Sequence, residues 1–135
     1  MALTVLDAGV VIAVLNASDA HHQAAKHAIS AALAGGERLV LPASAYAEVL
    51  VAPYRRGEEA VATVDAFVDA MPAAIEPATR QIAASAAELR AGHGRLRLPD
   101  ALVVATAASL GADRILTTDA GWPQLSVRVE VVVSG

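Results

Sequence analysis

Four carboxylates set far apart in the sequence, Asp7, Glu48, Asp100 and Asp119, are the residues of this chain best suited to chemistry. Asp7 follows the strand-like run ALTVL, and Glu48 lies in the helix-like ASAYAEVLV just after LVLP. Asp100 opens a helix behind Pro99, and Asp119 closes RILTTD. In an open parallel sheet the functional crevice lies at the carboxyl ends of the strands, so acids delivered there from four segments should converge. Two like charges about 4 Å apart repel by roughly 4 kcal/mol at an effective dielectric of about 20. Such a cluster is tolerated mainly with a bound cation or with protonation, and hard oxygen donors point to Mg²⁺ or Mn²⁺. Singly, each acid has an ordinary reading: Asp100 as a first-turn residue complementing a helix dipole, Asp7 and Asp119 as turn or cap residues. Glu48 is harder to dismiss, because its helical neighbours Ala45, Val49, Leu50 and Ala52 are apolar and a charge among them wants a partner. Asp113 precedes the strand that Asp119 follows, which puts it at the opposite edge.

The elements that must position these acids alternate between strand and helix. Residues 2–6 are apolar and β-branched, as in a central strand buried on both faces. A short helix over about 9–16 follows, and Ser18 or Asp19 can cap another over about 20–34 that Gly35 and Gly36 end. Arg38 to Leu41 is a second strand, and the helix carrying Glu48 runs to about Arg56. Gly57 breaks it before a helix over about 58–70. Ala73 to Glu76 is a short strand and residues 78–91 a helix. After the loop from Gly92 to Arg97, Pro99 and Asp100 begin a helix that Gly111 stops. Arg114 to Thr117 and Val127 to Val132 are the last strands, the latter at an edge. This alternation predicts an α/β fold, three layers with a central, mostly parallel sheet covered by helices on both faces.

Composition narrows the function. At 135 residues the chain has room for one domain with its own core, spanning 1–135. It is 56% hydrophobic, yet no apolar run approaches the ~18 residues of a membrane span, and the N-terminus lacks the basic leader of a signal peptide. A cytoplasmic protein without membrane contact is expected. The absence of cysteine excludes disulfides, thiolate zinc sites and cysteine nucleophiles. A net charge of -4 argues against broad electrostatic attraction to nucleic acid, but not against a nuclease whose acids hold cations. His21, His22 and His27 form no i, i+4 pair, so a solvated helix face is the better reading than zinc, and His93 sits in a glycine-flanked loop. Neither phosphate-cradling glycine motif is present. A phosphoryl-accepting receiver would want a lysine near the last strand, and the single lysine is Lys26.

The segments VLDAGVVIAVLN, ASAYAEVL and RLPDALVVATAASLGADRILTTDAGW together resemble the PIN domain, most closely the VapC-type toxin ribonucleases. The resemblance spans essentially the whole chain. It implies catalytic roles for Asp7, Glu48, Asp100 and Asp119, with Thr117 as the hydroxyl of the T-x-D turn. It also implies Mg²⁺, with Mn²⁺ as substitute, bound by the four acids directly or through water. The implied reaction is metal-assisted hydrolysis of single-stranded RNA leaving a 5′-phosphate. The implied partners are RNA, a VapB-type antitoxin and a second copy in a homodimer. Arg95 and Arg97, in the loop before Asp100, are candidate phosphate contacts. One departure stands out: many relatives carry Ser or Thr two residues after the first Asp, where this chain has Gly9. Two other readings are a degenerate PIN module that only binds a partner and a PIN nuclease of RNA processing with no toxin role. An apolar surplus on the helices near 20–34 and 58–70 (Ala28, Ile29, Ala32, Leu33, Val61, Val64, Phe67 and Val68) suggests a groove for an amphipathic antitoxin segment.

Overall fold

The computed structural model describes residues 1–134. Eleven elements follow in order: β1 (Leu3–Leu6), α1 (Ala8–Leu15), α2 (His22–Ala34), β2 (Arg38–Pro42), α3 (Ala43–Arg56), α4 (Glu58–Ala70), β3 (Ala74–Glu76), α5 (Arg80–Gly92), α6 (Leu98–Leu110), β4 (Arg114–Thr117) and β5 (Val129–Val131). The strands form one sheet in the order β3-β2-β1-β4-β5, and every neighbouring pair is parallel. The apolar runs explain this. Val5, Leu6, Leu39, Val40, Leu41, Ile115 and Leu116 are buried on successive positions, as strands covered on both faces require. Chain order reverses between β1 and β4, which makes their carboxyl ends the switch point where a crevice opens.

Helix boundaries follow local chemistry, with one correction. α2 starts at His22 and takes no side-chain cap; Asp19 instead accepts the His21 N–H at 2.8 Å, a local turn, and Ser18 caps nothing. Thr79 caps α5, its hydroxyl accepting from the Ile82 N–H at 3.2 Å. α3 begins at Ala43 directly after Pro42, the last residue of β2, with no intervening loop, so Glu48 falls in its second turn. Gly111 ends α6 in a left-handed conformation, φ 63°.

The amino edge of the sheet is closed by polar contacts. Arg114 Nη2 bonds both carboxylate oxygens of Glu37 at 3.0 and 3.1 Å, and its Nε donates to Thr4 Oγ1 at 3.1 Å. It also pairs with Glu130. Asp113 accepts the Leu3 N–H at 2.7 Å, which confirms its place at this edge, away from Asp7 and Asp119.

Candidate metal centre at the carboxyl edge

Asp7 is the anchor. As the N-cap of α1 it is only 8% exposed, and both its oxygens are engaged: Oδ1 accepts the Ala8 N–H at 2.9 Å and Oδ2 the Thr117 hydroxyl at 2.7 Å. Thr117 is fully buried at the end of β4, and its oxygen accepts the Asp119 N–H at 3.1 Å. One hydroxyl therefore locks the carboxyl ends of the two central strands together. Asp119 in turn accepts the Gly121 N–H at 2.8 Å, which shapes the loop that follows. Asp100 lies in the first turn of α6, its side chain 13% exposed.

Electrostatics ties the four acids into one group. Burial raises the Asp7 carboxyl above its ordinary range; the Thr117 and Ala8 bonds oppose this, and the charge of Asp119 adds to it. Burial, then the Asp7 charge, raises Glu48. Asp100 is pushed up to about 6, by burial first and then by Asp7, with Asp119 and Glu48 contributing. Each shift is the cost of keeping a charged form among like charges out of water. Arg97 is the common relief. Its guanidinium lowers Asp7, Glu48 and Asp100 alike, and its Nε lies 3.9 Å from Asp100 Oδ2. Arg95 is exposed and makes no ion pair with the acids among the described residues.

The donor chemistry fits a hard divalent cation, since every candidate ligand is a carboxylate oxygen. The spacing is open, however: among the described residues no three acidic or histidine side chains already stand close enough to hold one ion. Glu48 also differs from its sequence reading. Ala45 and Val49 are buried, but Glu48 lies on the exposed side of α3, so its charge needs no partner for folding. The histidines do not gather at the site; His22 Nδ1 bonds Ala13 O at 2.8 Å and His21 sits beside Asp19.

One residue was missed. A Cβ placed on Gly9 would fall 2.5 Å from Thr118 Oγ1, so the space over Gly9 is filled by a hydroxyl from the β4 end. The doublet Thr117–Thr118 next to Asp119 was the available signal.

The apolar surplus divides in two. Ile29, Ala32, Val64 and Val68 are core, whereas Leu33 and Phe67 join Ile29, Val14 and Met71 around an apolar depression of about 250 Å³ between α2 and α4. A further hollow of about 380 Å³ between α1, α3 and α4 has Glu48 at its rim.

A parallel α/β sheet with acids at the switch point defines the class, and comparison with known proteins gives the family. The PIN domain family model matches residues 4–127, and the chain belongs to that family. A search of curated proteins by sequence finds no significant match. Solved structures share the fold. The VapC20 toxin of Mycobacterium tuberculosis, described as cleaving the sarcin-ricin loop, is 22% identical, with TM-score 0.69 over 83% of this chain and 86% of that one. VapBC2 from Rickettsia felis, bound to a promoter DNA fragment, gives TM-score 0.77 at 13% identity over 96% and 98%. A toxin-antitoxin complex from Klebsiella pneumoniae gives 0.68 at 20% over 88% and 87%.

Proposed function

We propose that the protein is a metal-dependent endoribonuclease, the toxin of a VapBC-type pair, acting in the cytoplasm with the whole chain as one PIN domain. The observation that carries this reading is the electrostatic coupling of Asp7, Glu48, Asp100 and Asp119 at the carboxyl edge. A bound Mg²⁺ or Mn²⁺ would lower the pKa of water and stabilise charge on the departing oxygen. Asp7, Asp100 and Asp119 would hold that ion, directly or through water, and Glu48, on the solvent side, would orient the attacking water. Thr117 fixes the orientation of Asp7 and of the Asp119 backbone. Arg97, beside Asp100 and largely exposed, would contact the RNA phosphate, with Arg95 as a further contact on the chain entering the site. Water adds to phosphorus, the bond to the 3′-oxygen breaks, and a 5′-phosphate and a 3′-hydroxyl result.

The structural neighbours that are toxin-antitoxin complexes support an antitoxin partner for this chain too. The apolar depression beside Phe67 and Leu33 suits an amphipathic segment, and the acids suit a basic residue at its end. The toxin itself is a homodimer in this reading; α3 exposes Val51 and Tyr54 for such a contact. No helix among the described residues is long and apolar enough to cross a membrane. Purified protein should cut single-stranded RNA with Mg²⁺ and not with EDTA, and expression should arrest growth until the adjacent small gene is co-expressed. Harmless expression of active protein would leave a PIN nuclease of RNA processing. The open spacing of the acids favours a different alternative, a partner-binding module without catalysis. Calorimetric silence towards Mn²⁺ would establish that one.

A further inference from the structure

Hydrogen-bond donors are scarce at the carboxyl edge. The four acids offer only acceptors and the Thr117 hydroxyl is committed to Asp7, which leaves the largely exposed guanidinium of Arg97, 3.9 Å from Asp100, as the charged donor beside them. A phosphate oxygen brought here needs donors. Thr118 is half-buried between Thr117 and Asp119, and among the described residues its hydroxyl has no hydrogen-bond partner. It does no work in holding the fold together, yet room has been made for it. Its Oγ1 lies 2.5 Å from where a Cβ on Gly9 would stand, too close for a carbon, so any side chain at 9 would turn the Thr118 hydroxyl out of its present place. Gly9 has an ordinary helical conformation inside α1, where glycine costs about 1 kcal/mol against alanine. Backbone conformation does not call for glycine here; what its missing Cβ does is leave the Thr118 hydroxyl its present position.

We infer, on the nuclease reading above, that Thr118 is a further substrate-contacting residue, its hydroxyl donating to an oxygen of the scissile phosphate from the space left open over Gly9. The Gly9 and Thr118 positions then form an interchangeable pair, because a hydroxyl can be delivered to the same space from either side but not from both.

Thr118→Val, Thr118→Ala, Thr118→Ser, Gly9→Ser and the double variant Gly9→Ser/Thr118→Ala test this through three measurements. These are kcat/KM on a single-stranded RNA with Mg²⁺, affinity for the same oligonucleotide by fluorescence anisotropy in the Asp100→Asn background, and melting temperature. Valine keeps the shape and removes the hydroxyl, so kcat/KM should fall by about 10- to 100-fold, as expected for a hydrogen bond to a charged oxygen. RNA affinity should fall with it and the melting temperature hold. Serine at 118 should restore most of the loss. Gly9→Ser alone should be impaired because its Cβ displaces the Thr118 hydroxyl. Adding Thr118→Ala should raise activity above either single variant. Wild-type kcat/KM and RNA affinity in Thr118→Val, or a double variant no better than its parents, overturns the role of Thr118 while the nuclease reading stands. If the wild type cuts no RNA, the nuclease reading falls, and the anisotropy comparison still decides whether this hydroxyl contacts RNA.

Discussion

Replacing Asp100 with Asn should stabilise the metal-free protein while abolishing cleavage, a combination that an ordinary surface or cap residue would not produce. The Asp100 carboxyl rises from an ordinary 3.8 to about 6, chiefly through burial and then through the charge of Asp7. At 1.36 kcal/mol per pH unit the folded state bears roughly 3 kcal/mol for keeping this group ionised at neutral pH. Against that, a carboxylate in the first turn of α6 gains about 0.3–1 kcal/mol from the helix dipole, which Asn largely gives up. The opposing charge of Arg97, 3.9 Å away and 77% exposed, already acts within that raised value. The net expectation is a gain of about 2 kcal/mol in EDTA at pH 7, a rise in Tm of roughly 5–10 °C for a chain of this size.

The sign of the pH dependence follows from the raised pKa. Between the unfolded value near 3.8 and the folded value of about 6 the native state binds more protons than the unfolded chain. The wild type therefore loses stability as pH rises through that window and levels off above it. The advantage of Asp100→Asn should accordingly be largest at pH 7 and shrink towards pH 4, where the wild-type carboxyl is protonated in the fold. Circular-dichroism melts of both proteins in EDTA from pH 4 to 7.5 measure it. Millimolar Mg²⁺ should reverse the order of the two, since only the wild type keeps the full set of ligands. Identical melting of the two folded proteins across this range would refute the claim that Asp100 sits in a repulsive, desolvated cluster.

Further perturbations separate the two edges of the sheet. Thr117→Val removes the donor to Asp7 Oδ2 and the acceptor of the Asp119 N–H, so it should cost about 1–3 kcal/mol by chemical denaturation and lower cleavage as well. Arg114→Met leaves Glu37 and Glu130 without their shared cation, and about 2 kcal/mol should be lost with no change in cleavage per folded molecule. Mn²⁺ at about 100 times its Kd should stabilise the wild type by roughly 2.7 kcal/mol, and an unmoved melting curve would count against any metal site. Phe67→Asp should weaken capture of the co-expressed antitoxin in a pull-down while leaving free-toxin cleavage intact; undiminished capture would move the partner off the depression between α2 and α4.

The order of elements was legible because the strands are largely apolar runs and three of the six helices, α2, α3 and α6, have a glycine as C-cap; α4 and β4 fall on the boundaries that the residues imply. The placement of Asp7 and Asp119 beyond strand ends and of Asp100 at a helix start was legible for the same reason. Details that depend on how helices rotate were not. The apolar neighbours of Glu48 suggested a buried charge, but a residue adjacent in sequence to Val49 lies about 100° around the helix from it, and α3 turns Glu48 outward. Arg97 and Arg95 were indistinguishable as loop cations, and only the start of α6 at Leu98 aims one of them at the acids.

Gly9 makes the same point in reverse. Read along the chain, a glycine two residues after Asp7 is a missing hydroxyl and suggests a weakened site. Across the sheet it leaves clearance for Thr118, which lies just past the end of β4 and is held beside α1 by the Thr117–Asp7 hydrogen bond, a contact across 110 residues of sequence. Parallel pairing of Leu6 with Leu116 puts the two chain segments level with each other, and Thr117 then draws their ends together. A hydroxyl that the first segment does not carry can thus be supplied by the second, because the sheet fixes both to one edge. Side-chain chemistry at such an edge is a property of the paired strands, and a residue that looks absent from one motif has to be sought on its neighbour before activity is discounted.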